Sequence, residues 1–146
     1  MKVLLQRVKW ARVRVGGKVV GEINHGLLAM VGCVKTDQLA QAKRMAERIV
    51  GYRVFPDDEG KTNLDLRQVK GAALVVSQFT LGADTRKGRR PSFDPTLAPG
   101  PAKVLIMVLV EEIRIAGISV SEGVFGAEME LELLNYGPAT YSLEVE

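Results

Sequence analysis

The sequence predicts one α/β domain of the α+β type, with two main helices, over residues 1–146. Several short segments either alternate apolar and polar residues or are apolar throughout, which is typical of strands. Only two segments, near residues 38–50 and 101–116, have the length and terminal residues of helices. The length fits one domain, and no repeat, linker or low-complexity segment interrupts it.

The N-terminal segment predicts a hairpin and a central strand. Residues 1–8 and 10–15 alternate in polarity, as half-buried strands do. In "VRVGGKVVGEI", Gly16 and Gly17 can adopt the positive φ that a tight hairpin needs. The continuous apolar run "GLLAMVGCV" then predicts a buried strand.

The middle of the chain predicts a helix, two strands and a long loop. Asp37 is expected to cap a helix whose apolar stripe comprises Leu39, Ala42, Met45, Ala46, Ile49 and Val50. "YRVF" predicts a short strand that ends at the turn "PDDEG", and "GAALVVSQF" predicts a third buried strand. The loop over residues 82–99 is long, and such loops in compact domains are often functional.

The C-terminal segment predicts the second helix and the last strands. Pro101 fits the first turn of a helix that ends before Gly117. Its middle, "VLIMVLV", is apolar on all sides and predicts burial on most faces, with a partner chain as one possible cover. "ISVSEGVF", "EMELELL" and "TYSLEVE" predict strands, with a turn at "NYGP" between the last two.

Composition limits the classes of function. The net charge of +3 is too small to indicate a partner, so local charge clusters carry more information. The single cysteine, Cys33, excludes an internal disulfide framework and fits a reducing compartment. The N-terminal segment lacks a signal-peptide layout, and the longest apolar run, residues 104–110, is too short for a membrane span. We therefore expect a cytoplasmic protein without membrane association.

The residues of the commonest side-chain catalytic sites are missing. His25 and Cys33 are the only histidine and cysteine, too few for a metal site, so we expect no metal and no cofactor. A nucleophile–base pair would depend on His25, for which an ordinary turn residue is the favoured interpretation. The glutamates of "EMELELL" alternate as on a solvated sheet face.

Three segments remain as candidate sites. Ser77-Gln78-Phe79-Thr80 follows a buried strand, where ligands of open α/β sheets often bind. Gly137-Pro138, within Asn135–Thr140, indicates a turn in which a ligand can approach bare backbone. The basic cluster can bind phosphates and consists of Arg86, Lys87, Arg89 and Arg90. The alternatives are a strand end that becomes a polar loop, an ordinary hairpin turn and a solvated loop.

Together these segments carry a family resemblance. "QRV", "SQFTL", "KGRRPSF", "GVFGAEM" and "NYGPAT" occur in an order and spacing that closely resemble D-aminoacyl-tRNA deacylases over the whole chain. The resemblance implies a cytoplasmic homodimer with a curled, barrel-like, mainly antiparallel or mixed sheet. The implied activity is hydrolysis of the ester that joins a D-amino acid, or glycine on tRNA(Ala), to the 3′ end of tRNA. The expected partners are tRNA and a second copy of the chain, with no DNA and no membrane.

The resemblance also implies roles for residues. The catalytic pocket is expected to be lined by Ser77, Gln78, Phe79 and Thr80, and shaped by Phe125 and Met129. Gly137 and Pro138 are expected to be joined by a cis bond and to enter the partner's pocket. Their backbone would fill the space that an L side chain needs. Substrate contacts are also expected from the flanking Asn135 and Thr140.

The same motif departs from the family pattern at one position. The family usually has valine where this chain has Ala139, so we expect looser packing behind the turn. The four cations of the basic cluster are expected to hold tRNA phosphates, and Phe79, Phe93 and Tyr136 are candidates for base stacking.

Two mechanisms stay open at this point. An aminoacyl ester is already activated, so backbone donors for the oxyanion and help from the ribose 2′-hydroxyl can suffice. Thr80 as a covalent nucleophile is the alternative, although no activating base accompanies it. The competing functions are an RNA-binding module without catalysis, a small-ester hydrolase that uses Thr80, and a dimerising structural domain.

Overall fold

The computed structural model describes residues 1–146, which form eight strands, two α-helices and one 3-10 turn. The strands are β1 (Lys2–Val15), β2 (Lys18–Ile23), β3 (Gly26–Gly32), β4 (Phe55–Pro56), β5 (Thr62–Leu64), β6 (Ala72–Ser77), β7 (Val120–Glu122) and β8 (Glu130–Glu144). The helices are α1 (Leu39–Gly51) and α2 (Pro99–Ile115), and the 3-10 turn is Phe79–Gly82. The predicted fold class with two helices is confirmed.

The sheet is mixed and curls into a nearly closed barrel. Strand β1 pairs antiparallel with β8 along one edge and with β3 and then β2 along the other. Strands β3, β6 and β7 are parallel neighbours. The curl brings β7 back to β2, where the Ser121 hydroxyl donates a 2.8 Å hydrogen bond to the Glu22 carbonyl. The barrel-like sheet expected from the resemblance is therefore present.

Apolar side chains pack on both sides of this sheet. The larger cluster lies between the sheet and the helices and includes Leu5, Leu27, Met45, Ile49 and Leu109. A second cluster fills the inside of the curl and comprises Val8, Ala11, Val13, Ile23, Leu28, Leu74 and Val76. Since each fully buried aliphatic side chain contributes about 1.5–3 kcal/mol, these two layers hold the ends of β3 and β6 in place.

The helix termini test two local predictions. Helix α2 has proline in its first turn, and Gly117 follows its end with a φ of +88°, as predicted. Asp37 is not the cap of α1, because Gln38 holds that position and forms a capping box with Gln41. The buried Asp37 carboxylate is instead bound by the Val34 N–H, at 2.7 Å, and by the Met1 ammonium.

The "NYGP" segment does not separate two strands, contrary to the prediction. Strand β8 continues through it, with Asn135 opposite Val8 and Thr140 opposite Gln6 on β1. Residues 136–139 bulge out opposite the single residue Arg7. Two other predicted strands are shorter than expected, because only Phe55–Pro56 and Val120–Glu122 are paired.

Helix α2 is buried on one side only. Leu105, Leu109 and Ile113 are buried, whereas Val104 and Met107 are 53% and 59% exposed. The prediction of burial on most faces is therefore wrong for the single chain. Neither helix combines the length and hydropathy needed to span a bilayer.

Candidate active site

A cavity of about 560 Å³ lies at the carboxyl ends of the parallel strands β3 and β6. The end of β6 contributes Ser77, Gln78 and then Phe79. The segment between β7 and β8 contributes Phe125 and Met129. The structure thus brings five of the predicted pocket residues into one cavity. The rest of the lining is mostly apolar and comprises Met30, Val31, Cys33, Val76, Thr96, Leu97, Pro99, Ala102, Ile106, Gly126, Ala127 and Leu131.

The 3-10 turn shapes this edge of the cavity. The Gln78 N–H donates to the Val31 carbonyl at 2.7 Å, which extends the β3–β6 pairing by one residue, and the Leu81 N–H then donates back to the Gln78 carbonyl. Gly32 permits this close packing, because a Cβ there would lie 2.8 Å from the Leu81 Cβ. The chain therefore turns sharply after Ser77 and leaves Phe79 59% exposed at the cavity.

Thr80 lies beside the cavity rather than in its lining. Its hydroxyl is exposed and donates a 2.8 Å hydrogen bond to the Gln78 Oε1 atom. This contact occupies the amide oxygen and leaves the Gln78 NH₂ group as a donor. The geometry is that of a residue that orients Gln78.

Cys33 lines the cavity but is a poor nucleophile. Burial raises the pKa of its thiol to about 11, and the Asp37 carboxylate adds to this effect. The thiol is therefore protonated at neutral pH, and the thiolate is the reactive form. His25 is absent from the lining, so the cavity holds no Cys–His or Thr–His pair. The chain also forms no cluster of three His, Cys, Asp or Glu residues that could hold a metal ion.

Two exposed aromatic rings flank residues 80–92, the segment that carries the basic cluster and is called the basic loop below. Phe79 and Phe93 lie 5.1 Å apart between ring centroids, and Phe93 is 40% exposed. Between them, Asp84 and Ser92 exchange two backbone hydrogen bonds of 2.8 and 2.9 Å, which close the loop. These two hydrogen bonds fix the base of the loop beside the cavity.

The four cations of the basic cluster are not equivalent. Arg86 binds the Asp84 carboxylate through two hydrogen bonds of 2.9 and 2.7 Å. These hydrogen bonds hold the pKa of the Asp84 carboxyl well below its usual range, so the pair is internally neutralised. Lys87, Arg89 and Arg90 are exposed and form no ion pair. Three free positive charges therefore remain at the loop tip.

The predicted Gly-Pro turn lies on the β8 bulge, outside the cavity lining. Gly137 and Pro138 are exposed, and the peptide bond between them is cis, as the resemblance implies. The Asn135 side chain spans the bulge: its oxygen accepts from the Ala139 N–H at 2.8 Å, and its nitrogen donates to the Thr140 hydroxyl at 2.8 Å. The Asn135 side chain therefore stabilises the turn through its hydrogen bonds to the Ala139 N–H and the Thr140 hydroxyl.

Sequence reasoning missed Arg7, which anchors the same bulge. Its Nε and Nη2 atoms donate to the Tyr136 carbonyl at 3.1 and 3.0 Å, and Nη1 donates to the Val54 carbonyl at 2.8 Å. The guanidinium also lies 4.4 Å from the centre of the Tyr136 ring. One face of Tyr136 is therefore already covered. The available signal for this role was a cation at a buried position of the β1 alternation, where Arg7 follows Val3 and Leu5.

Comparisons with known proteins identify the family of the chain. A sequence profile of the family described as "D-Tyr-tRNA(Tyr) deacylase" matches residues 4–144. The D-aminoacyl-tRNA deacylase of Alcanivorax borkumensis is 52% identical over 145 residues, which cover 99% of this chain and 100% of the relative. The D-aminoacyl-tRNA deacylase of Halorhodospira halophila is 51% identical over 145 residues, which cover 99% of this chain and 94% of the relative.

Solved structures share the fold of this chain. The c-Myc DNA Unwinding Element Binding Protein superposes with a TM-score of 0.94 at 31% identity, covering 100% of this chain and 99% of its own. A probable eukaryotic D-amino acid tRNA deacylase shares the fold, with a TM-score of 0.84 at 18% identity over 99% of this chain and 98% of its own. The fold is a barrel-like α/β domain, and the sequence relatives of this chain are deacylases. The chain belongs to the D-Tyr-tRNA(Tyr) deacylase family.

Proposed function

We propose that the protein hydrolyses the ester bond of D-aminoacyl-tRNA, and of glycyl-tRNA(Ala), to free amino acid and tRNA. The reaction is a chiral proofreading step of translation in the cytoplasm. The observation that carries the proposal is the cavity at the end of β6, lined by Ser77, Gln78 and Phe79, in a chain about half identical to D-aminoacyl-tRNA deacylases.

The size and lining of the cavity suit an aminoacyl ester. Ligand pockets typically enclose about 300–1,000 Å³, so the observed cavity can take an aminoacyl group. Apolar walls from Phe125 and Met129 suit an amino-acid side chain, and polar groups of Ser77 and Gln78 can orient the ester. The test is release of D-Tyr from D-Tyr-tRNA, with L-Tyr-tRNA and a D-Tyr ester as comparisons. Binding of D-Tyr-tRNA without hydrolysis would instead identify an RNA-binding module, and rapid hydrolysis of the simple ester a small-ester hydrolase.

The proposed mechanism uses no covalent enzyme intermediate. Water attacks the ester carbonyl carbon, and N–H donors at the cavity wall stabilise the resulting oxyanion. The bond to the ribose oxygen then breaks, and that oxygen takes up a proton. The neighbouring 2′-hydroxyl of the tRNA assists the proton transfers. This assignment is supported by the protonated Cys33 thiol and by the absence of His25 from the cavity lining, which leave the cavity without a Cys or His base.

Thr80 provides a test of this mechanism. Thr80→Val should lower kcat less than about tenfold, because it removes one neutral hydrogen bond of roughly 0.5–1.5 kcal/mol to Gln78. Single-turnover hydrolysis of D-Tyr-tRNA measures the effect, with Thr80→Ser as the matched control that keeps the hydroxyl. A fall to the uncatalysed rate, or an acyl group trapped on wild-type Thr80, would establish the nucleophilic mechanism instead.

We further propose that rejection of L-amino acids comes from the turn at Gly137 and Pro138 of a second subunit. The turn is exposed and lies outside the lining of its own cavity, which supports a role in another chain. Its main-chain carbonyls would accept hydrogen bonds from the substrate ammonium and occupy the space of an L side chain. Glycine has no side chain to clash and is accepted. The homodimer is thus part of the proposed function.

The basic loop is proposed to hold tRNA through its free cations. Replacing Lys87, Arg89 and Arg90 together by glutamine should lower the slope of log affinity against log salt by about 2, at roughly 0.7 per phosphate contact with single strands. The matched control is the double variant Arg86→Gln/Asp84→Asn, which removes an ion pair of no net charge and should change the slope little. Titration of tRNA at several salt concentrations measures both slopes. Equal slopes for the triple variant and wild type would mean that the loop is a solvated surface and does not bind tRNA. In a separate titration, tight binding of duplex DNA would refute the expected absence of DNA as a partner.

A further inference from the structure

We propose that His25 and Tyr136 act as a pair of positioning residues that fix the turn at Gly137 and Pro138, and through it the discrimination between D- and L-substrates. This inference rests on the proposed function of that turn. No chemistry is assigned to the pair itself.

The contacts of Tyr136 carry the inference. Tyr136 immediately precedes Gly137, and Arg7 binds its carbonyl oxygen. At the other end of the residue, the phenol oxygen lies 2.8 Å from the His25 Nε2 atom, in a hydrogen bond. The residue that leads into the turn is therefore held at both its main chain and the tip of its side chain.

The main chain at His25 is held in place by β6. It lies between β2 and β3, and its carbonyl accepts a 3.1 Å hydrogen bond from the Ala72 N–H at the start of β6. The next residue, Gly26, packs so closely on β6 that a Cβ there would lie 1.9 Å from the Ala72 oxygen. The His25 ring also packs edge-on against Phe55, with ring centroids 5.1 Å apart. The pair thus ties the bulge to the start of β6, the strand that ends at Ser77.

The charges around the pair keep it neutral. Burial and the nearby Arg7 guanidinium lower the pKa of His25, and burial raises the pKa of Tyr136. Lys9 adds a second cation, 5.8 Å from the Tyr136 ring. The charged groups facing the pair are therefore both positive and come from β1. An imidazolium formed at low pH would be repelled by Arg7, so acidification should loosen the pair.

Two substitutions test the inference. Tyr136→Phe and His25→Ala should each lower the ratio of D-Tyr-tRNA to L-Tyr-tRNA hydrolysis roughly two- to tenfold, the effect expected when one hydrogen bond is lost. The double variant should be no worse than either single variant, because both remove the same contact. His25→Gln should restore much of the ratio, since an amide can also bond the phenol. The matched control is Tyr141→Phe on the same strand, where no hydrogen bond is lost, and its ratio should equal that of wild type.

The pH profile separates positioning from a general structural effect. In wild type the D-over-L ratio should fall as the pH drops below about 6.5, the ordinary pKa of histidine, toward the lowered pKa of His25. In His25→Ala the ratio should not change over this range. Unchanged ratios in both variants, or additive losses in the double variant, would overturn the inference. If the wild-type protein hydrolyses L-Tyr-tRNA as readily as D-Tyr-tRNA, the proposed function of the turn is wrong. That result differs from a failure of the His25–Tyr136 inference, in which wild type discriminates and the variants do so equally well.

Discussion

Ala127→Trp should strongly reduce hydrolysis of D-Tyr-tRNA while the protein stays folded. Ala127 lines the cavity on the segment between β7 and β8, where its side chain is only half-buried. An indole at this position would occupy space that the aminoacyl group needs. Since displacing a substrate by 1 Å can cost about 100-fold, we expect kcat/KM to fall by at least ~100-fold.

Val124→Trp is the matched control for this substitution. Val124 belongs to the same turn, because its carbonyl accepts the Ala127 N–H, but it is 44% exposed and does not line the cavity. It should keep kcat/KM within about twofold of wild type, as expected for a surface change. Near wild-type activity of Ala127→Trp, with an unchanged unfolding temperature, would place the reaction somewhere other than this cavity.

Gly137→Ala should weaken the discrimination against L-Tyr-tRNA. Gly137 has a φ of +125°, and a Cβ there would lie 2.5 Å from the Arg7 Nη2 atom. That guanidinium is bound to the Tyr136 and Val54 carbonyls and cannot move without losing these hydrogen bonds. The turn must therefore shift, and L-Tyr-tRNA hydrolysis should rise at least ~10-fold relative to D-Tyr-tRNA, since tenfold corresponds to only about 1.4 kcal/mol.

Gly17→Ala separates backbone strain from the clash with Arg7. Gly17 also has a positive φ, +79°, but a Cβ there would meet nothing within 4 Å. Both variants carry a strain of roughly 1–3 kcal/mol, and Gly137→Ala should lose a further ~2 kcal/mol of unfolding free energy with its charged hydrogen bonds. Chemical denaturation measures the difference. Equal stabilities, together with an intact D-over-L ratio, would mean that Arg7 does not hold the turn.

Local patterns predicted the parts of the fold that depend on neighbouring residues. Gly16 and Gly17 do form the hairpin with positive φ, and α2 starts and stops at its proline and glycine signals. The apolar run of β6 placed Ser77 and Gln78 at a strand end, which is where the cavity lies. These features follow from backbone chemistry within a few residues, so a single sequence contains them.

The failures concern contacts between distant parts of the chain. Asp37 has the residue type of a helix cap, but the Met1 ammonium binds its carboxylate, and Gln38 caps the helix instead. "NYGP" has turn chemistry, but pairing of both flanks with β1 makes it a bulge rather than a hairpin. The meeting of His25 with Tyr136 depends on that same pairing and has no local signal.

The most direct test of the account is a mixed dimer of Ala127→Trp and Gly137→Ala subunits, purified through two different tags. If each turn serves the partner's cavity, the mixed dimer has one intact site, made of the Gly137→Ala subunit's cavity and the Ala127→Trp subunit's turn. It should hydrolyse D-Tyr-tRNA with wild-type discrimination at about half the wild-type rate, as one working site per dimer implies. A mixed dimer that hydrolyses L-Tyr-tRNA as readily as the Gly137→Ala protein does, or that has no activity on D-Tyr-tRNA, would contradict a cavity completed across the subunit interface.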